Sequence, residues 1–311
     1  MSSRLRYGIF LIIALTSCIL FCSCGGGKTA ADSADHSGKP RDNTPVVLSP
    51  AASHQQEYGN SYASIDASNT SEGYIMASYS AGSDKVKIQI TDPTQAVYTY
   101  LLPKGGEYQT FPLSGGNGSY SIKILENVSG DSYAVVLSQD IDVSIKDEFT
   151  PFLYPNQYVD FDENSDAVAK GSELAKDTYT DLEVVEKVYV YVTENIKYDD
   201  SKAASVDYGY LPDVDETLSS GKGICFDYAA LMCCMLRSQG IPTKLEVGYS
   251  GTAFHAWIST YVDDVGWVDG IVEFSGDSWE LMDPTFAANN DSASVSEYIG
   301  NGDNYTLKNS Y

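Results

Sequence analysis

The chain has 311 residues, enough for two ordinary domains. Its apolar and charged fractions, 43% and 20%, are those of a globular protein. Asp and Glu number 43 against 19 Lys and Arg, a formal net charge of −24. That balance excludes nucleic acid as an expected partner, because phosphate binding needs a basic face.

Arg4 and Arg6 precede a nearly unbroken apolar run from Tyr7 to Phe21, the pattern of an export signal. The run gives way to Cys22-Ser23-Cys24-Gly25-Gly26-Gly27-Lys28. This junction resembles a bacterial lipoprotein signal, in which a cysteine is lipidated and becomes the new N-terminus. Cys24, followed by a polar Gly-rich stretch, is the expected lipidation site; Cys18, after Leu15-Thr16-Ser17, is the alternative. Residues 1–23 therefore read as a signal peptide. The body is expected to be exported and held by its lipid at the outer face of the cytoplasmic membrane, since no later stretch is apolar and long enough to span a bilayer. Residues 24–56, rich in Gly, Ser, Ala, Asp, Pro and Lys without apolar periodicity, read as a flexible tether. His36 and His54 fall in it and read as solvated linker residues.

From 57 to 148 the pattern is short strands between turns. Tyr74–Tyr79, Val86–Ile90, Tyr98–Leu101, Ser119–Leu125 and Tyr133–Leu137 read as strands, with turns at 81–84, 105–106 and 115–118. This spacing predicts a β-sandwich. Its many tyrosines fit a half-buried pleated surface, and the alternative for them is a face that binds protein or glycan. A Pro- and Tyr-containing connector over 149–164 follows.

The segment 165–311 reads as a second, α+β domain. A moderately amphipathic helix is expected over 165–176. A second begins at the capping box Thr180-Asp181-Leu182-Glu183 and runs to about Asn195. Tyr198–Ser220 reads as irregular. Then comes Gly221-Lys222-Gly223-Ile224-Cys225-Phe226-Asp227-Tyr228-Ala229, a Gly-rich loop running into an apolar helix that stops at Gly240-Ile241-Pro242. Cys233 and Cys234 within this helix read as small core residues. Thr243–Tyr249, Ala253–Val262, Trp267–Phe274 and Ser278–Met282 read as strands, with Ser275-Gly276-Asp277 as a hairpin turn. The tail after Phe286 carries no clear pattern.

Cys225 falls in the first turn of its helix, where unpaired N–H groups and the positive dipole end favour a thiolate. A thiolate catalyst needs an acid/base partner and a group to orient it. His255, on the strand Ala253–Val262 and sharing a face with Trp257, is the one histidine outside the tether. Asp283, extended by the proline after it, supplies a carboxylate. The three fit a triad of nucleophile, base and orienter.

The segments Gly223–Ala229, Phe254-His255-Ala256-Trp257 and Met282-Asp283-Pro284-Thr285 resemble the three motifs of the transglutaminase-like superfamily, papain-like thiol enzymes with a Cys–His–Asp triad. The resemblance covers about 165–290. It implies that Cys225 is the nucleophile, His255 the base and Asp283 the orienter. It also implies that the cysteine's helix packs on the sheet bearing the other two. The preceding β-rich half is similar to accessory domains on exported bacterial members. Asp227 reads as a structural carboxylate at the helix start, and Trp257 as packing beside the imidazole. For the oxyanion, the backbone N–H of Cys225 is the first expected donor, and Tyr210, in preference to Tyr208, the second.

The expected chemistry is acyl transfer through a thioester on a peptide or glutamine carbonyl. Water as acceptor gives a protease or amidase; a lysine amine gives a cross-linking transglutaminase. The reading leans to hydrolysis of cell-envelope peptide or protein. A non-catalytic surface module that binds through the β-domain is the reading of a different class. No cofactor is expected. With one histidine outside the tether, no CxxC spacing and no calcium-loop signature, no metal site is expected either.

Overall fold

The computed structural model describes residues 38–207, 209–250, 252–263, 266–269, 272–274, 279–281 and 305–311. Eight strands come first: β1 (Glu57–Gly59), β2 (Ala63–Asp66), β3 (Tyr74–Tyr79), β4 (Val86–Thr91), β5 (Val97–Leu101), β6 (Gln109–Pro112), β7 (Gly118–Ser129) and β8 (Ser132–Val143). They make two antiparallel sheets, in the orders β1-β2-β3-β6 and β5-β4-β7-β8. On β4, Val86, Ile88 and Ile90 are buried while Lys87, Gln89 and Thr91 are half-buried, so one face of the strand enters the core. Tyr100 on β5 meets Phe111 on β6, ring centroids 5.0 Å apart, where the inner faces of the two sheets touch. β1, β2 and β6 have no counterpart among the expected strands. They are three or four residues long, too short to show an alternation.

Two parts of the tether reading change. Residues 38–56 are tied down rather than free. Arg41 Nε donates to Asp181 Oδ1 at 2.7 Å, Asn43 Nδ2 to the carbonyl of Ser172 at 2.8 Å, and the N–H of Val46 to the carbonyl of Ser238 at 2.7 Å. His54 is not merely solvated. Its Nδ1 lies 2.9 Å from Glu57 Oε2 and its ring meets Tyr108 edge-on. Polar side chains and main-chain bonds hold this strap, and neither leaves an apolar period in a sequence. Residues 1–37, with Cys18, Cys24 and His36, lie outside the described residues.

The second half begins with α1 (Asp166–Leu174) and α2 (Asp181–Asn195). Thr180 caps α2, its hydroxyl accepting from the Glu183 N–H. Then follow β9 (Lys197–Tyr198), α3 (Asp200–Ser205), α4 (Val214–Ser220), β10 (Lys222–Gly223) and α5 (Cys225–Arg237). α3 and α4 occupy the stretch that reads as irregular. Both are short, and each is started by an aspartate: Asp199 accepts from the N–H of Lys202, and Asp213 from those of Asp215 and Glu216. Every residue of α5 from Asp227 to Arg237 is buried, since α1, α2 and α4 surround it and a sheet lies against it. Gly171 lets α1 approach; a Cβ there would sit 2.8 Å from the carbonyl oxygen of Met235.

That sheet has the order β13-β12-β11-β16, from β11 (Thr243–Ser250), β12 (Ala253–Val262), β13 (Gly266–Asp269) and β16 (Tyr305–Ser310). β14 (Val272–Phe274) and β15 (Trp279–Leu281) form a separate antiparallel pair. The single strand expected over Trp267–Phe274 is thus two, and the expected turn at 275–277 lies outside the described residues. β16, from the tail without a pattern, pairs with β11. The fold is the expected one: a β-rich half, then a mixed α and β half with its central helix on an antiparallel sheet. Cys233 and Cys234 are fully buried in that core.

Aromatic rings join the halves. Tyr311 lies 5.7 Å from Tyr98, 5.5 Å from Tyr100 and 4.7 Å from Tyr158. Beside them, buried Arg237 donates to the carbonyls of Thr243, Tyr154 and Tyr311 at 2.7–2.8 Å, tying α5 to β11, the connector and the last residue. Among the described residues no helix is long and apolar enough to cross a membrane.

Candidate active site

The loop before Cys225 is held on both sides. Gly221, at φ 63°, ends α4 in the left-handed conformation that glycine adopts without strain. β10 pairs in parallel with β9, and the N–H of Asp199 donates to the carbonyl of Gly223 at 2.9 Å. Gly223 has no room for a side chain, since a Cβ would lie 2.6 Å from that of Asp227. The chain therefore enters α5 with Cys225 at its first residue, half-buried.

Asp227 organises what lies beneath. It is fully buried. Its Oδ2 accepts from the N–H of Ile224 at 2.8 Å and lies 2.8 Å from Lys202 Nζ; its Oδ1 accepts from the Tyr210 hydroxyl at 2.6 Å. The ammonium also sits over the Tyr210 ring, 4.4 Å from its centroid. Burial opposes charge on Lys202, but its bonds to Asp227 and Tyr210 outweigh that and its pKa rises. Burial, reinforced by the bond to Asp227, pushes the Tyr210 phenol up to about 12. Lys202 is absent from the residues singled out in the sequence. It reaches the site only because Asp199 starts a helix of six residues that turns it inward.

On the sheet, β11 pairs along its whole length with Ala253–Thr260 of β12, Gly248 opposite His255 and Glu246 opposite Trp257. His255 is 8% exposed, and the Trp257 ring lies 6.4 Å from its ring at an angle of 26°. Trp257 is itself fixed by the buried carboxylate of Glu246. Oε2 accepts from Trp257 Nε1 at 2.8 Å and Ser259 Oγ at 2.5 Å, and Oε1 from Ser310 Oγ at 3.0 Å. Glu246 is a second residue that the sequence reading passed over. The available signal is a lone carboxylate inside the apolar strand Leu245-Glu246-Val247, opposite a tryptophan. Gly248 lets these strands close: a Cβ there would meet the Thr306 carbonyl oxygen at 2.1 Å and Trp257 Cη2 at 2.8 Å.

Cys225 and His255 both line one cleft of about 480 Å³. Its walls come from the start of α5, from β12, from residues 206–207 and 209–211, and from Leu101 and Tyr158 across the junction with the β-sandwich. Among the described residues no cluster of three or more His, Cys, Asp or Glu side chains is arranged to hold a metal.

Sequence comparison decides the kinship of this half. A family model described as the transglutaminase-like superfamily matches residues 168–269, which include both Cys225 and His255. Residues 168–269 are a transglutaminase-like domain. The human kyphoscoliosis peptidase is 29% identical over 120 residues, 33% of this chain; the chain spans only 18% of that relative's length. Solved structures similar to the chain include a candidate cysteine protease of Cytophaga hutchinsonii (14% identical, 82% of this chain and 73% of that one, TM-score 0.38). They also include the periplasmic domain of TgpA from Pseudomonas aeruginosa (14% identical, 80% of this chain and 85% of that one, TM-score 0.34) and red sea bream transglutaminase (15% identical, 70% and 48%, TM-score 0.29).

Of the residues singled out in the sequence, the transglutaminase-like domain brings Cys225, His255 and Tyr210 to one cleft, with Asp227 behind Cys225 and Trp257 beside His255. Asp283 and Tyr208 lie outside the described residues. The role expected for Tyr210 needs correction. A phenol has one proton to donate, and that of Tyr210 goes to Asp227 Oδ1. It braces the start of α5 and does not face an oxyanion with a free donor.

Proposed function

We propose that the protein is a thiol-dependent hydrolase of peptide or protein amides, with Cys225 as nucleophile, His255 as base and acid, and Asp283 as the carboxylate that orients His255. The observation that carries this reading is the shared cleft: the first residue of a buried helix is a half-exposed cysteine, and the one histidine outside residues 1–56 lines the same cavity. His255 takes the thiol proton of Cys225, and Sγ attacks the carbonyl carbon, forming a C–S bond as the carbonyl π electrons move to oxygen. The backbone N–H of Cys225, one of the first-turn donors without an intrahelical partner, receives that oxyanion. Collapse breaks the C–N bond as His255 gives its proton to the leaving amine. Water then attacks the thioester with His255 as base, the C–S bond breaks, and a carboxylic acid leaves.

The peptidase name of the human relative favours water over an amine in the second step. With the lipoprotein-like N-terminus, this reading places the enzyme outside the cytoplasmic membrane, anchored through Cys24 and acting on cell-envelope peptide or protein. The experiment is alkylation by iodoacetamide at neutral pH, mapped by mass spectrometry, together with product analysis on an envelope protein extract. Labelling concentrated at Cys225 and new peptide termini that vanish in Cys225→Ala are expected. Equal, slow labelling of wild type and Cys225→Ala would end this reading. Incorporation of a labelled amine into a glutamine-containing protein, lost in Cys225→Ala, would turn it to cross-linking.

A further inference from the structure

We infer that the β-sandwich and the connector supply one wall of the substrate cleft, and that this wall selects a bulky, uncharged apolar side chain flanking the attacked carbonyl. The inference rests on the reading of Cys225 as nucleophile and goes beyond it, since the triad chemistry is indifferent to the β-rich half.

The wall is apolar. Leu101, from the end of β5, and Tyr158, from the connector, line a cleft that Leu211, Phe226 and Phe254 also line. The Tyr158 ring comes within 5.3 Å of the ring of Phe226, the residue directly after Cys225. The wall's surface thus begins next to the sulfur. Phe254, directly before His255, is 61% exposed and meets Tyr249 at 5.6 Å, continuing the apolar surface to the rim. Large apolar groups left this open beside a reactive centre mark a contact surface.

It is also pre-formed. Tyr158 stacks on buried Tyr100, 5.3 Å apart at 21°, and packs on Tyr311. Gln157 Nε2 donates to the Leu101 carbonyl at 2.7 Å, locking connector to strand. Gly209, at φ 90°, presses the opposite loop against Leu101; a Cβ there would lie 2.4 Å from Leu101 Cδ1. A wall braced from behind does not yield to admit a poorly shaped residue, so its shape reads out as specificity.

Charge points the same way. Among the described lining residues there is no lysine or arginine, and the one carboxylate is Asp207. An acidic side chain entering the cleft would lose water with no lysine or arginine to pair with and meet Asp207 besides. An apolar pocket that fills with a large side chain discriminates by about 10- to 200-fold in rate over one that leaves it empty.

The test uses two peptidyl alkylating probes with one warhead, differing only in Phe or Asp at the residue flanking it, on the full-length chain. The readout is the rate of Cys225 labelling by mass spectrometry, with iodoacetamide as the reagent that needs no pocket. The Phe probe is expected to react at least 10-fold faster than the Asp probe. Leu101→Lys, which places a cation in the wall, is expected to lower the Phe-to-Asp rate ratio at least 10-fold by speeding the Asp probe, a gain that misfolding does not produce. Thr99→Lys, also in the lining, serves should Leu101→Lys fail to fold. Equal rates for the two probes on a wild type that iodoacetamide labels at Cys225 would overturn the inference and leave the proposed function standing. Failure of iodoacetamide to label Cys225 would remove both.

Discussion

Lys202→Met removes one charge from beneath the start of α5 and keeps most of the side-chain volume. Asp227 is fully buried with three donors, and Lys202 Nζ, 2.8 Å away, is the cation among them. A hydrogen bond to a buried charged group contributes about 1.5–3 kcal/mol. The Lys202 side chain is 27% exposed, so water reaches the pair and the lower half of that range applies. Losing the cation over the Tyr210 ring adds about 0.5 kcal/mol. The sum, about 2–3 kcal/mol, lowers the melting temperature by about 5–10 °C. Because the same carboxylate fixes the Ile224 N–H, the loop before Cys225 loosens too, and alkylation of Cys225 by a peptidyl probe slows more than alkylation by iodoacetamide. A double-mutant cycle with Asp227→Asn, read by thermal melts, isolates the pair, and a coupling of at least about 1 kcal/mol is expected. If the double mutant loses the plain sum of the two single losses, Lys202 and Asp227 are not a unit and this account of the helix start fails.

Three further outcomes follow from single observations. Arg237→Met leaves two buried main-chain carbonyls and one partly buried one without their donor and should cost about 3–5 kcal/mol, measured by urea unfolding. Gly248→Ala forces a Cβ against the Thr306 carbonyl and the Trp257 ring; it should cost about 1–3 kcal/mol and shift Trp257 fluorescence. Stability should also fall in alkali. Lys202 and Tyr210 both hold their protons more tightly folded than unfolded, so their contributions are complete below pH 10. The Tyr210 contribution is lost as pH rises from 10 toward about 12, and that of Lys202 above 10.5. Thermal melts from pH 8 to 12 should show this slope, and Tyr210→Phe should flatten it.

The helix α5 was legible because several local signals agree there. A Gly-rich loop, a cysteine, a carboxylate two residues on, an apolar run and a Gly-Ile-Pro stop describe α5 almost to the residue. The sandwich was legible where strands are long enough to alternate, as β4 is, and illegible at β1 and β6. What escaped was non-local. Lys202 meets Asp227 across 25 positions and Glu246 meets Ser310 across 64, and no period or motif spans such gaps. The strap over 38–56 was misread for a related reason: Arg41, Asn43 and the Val46 N–H dock on groups over 120 residues away, and composition reports only that the segment is polar. Tyr210 lines the cleft but donates its one proton to Asp227, and which partner takes a phenol's proton depends on a carboxylate's direction, which no local pattern carries.

That reassignment separates two jobs within one loop. Tyr210 and Lys202 look inward and hold the start of α5, while Gly209 packs directly on Leu101 of the β-sandwich and Leu211 lines the cleft. On the proposed mechanism, stabilising the oxyanion falls to main-chain N–H groups at the helix start, where Asp227 holds the Ile224 N–H. A lesion in the Asp227 cluster should therefore slow labelling of every substrate-like probe in similar proportion, since it displaces the nucleophile and its donors together. A lesion in the Leu101 and Tyr158 wall should change the ranking of probes. Comparing Tyr210→Phe with Leu101→Lys on the same two probes separates the cases: the first is expected to preserve the Phe-to-Asp rate ratio and the second to alter it. A shifted ratio in Tyr210→Phe would mean that bracing and selection are one function of the loop.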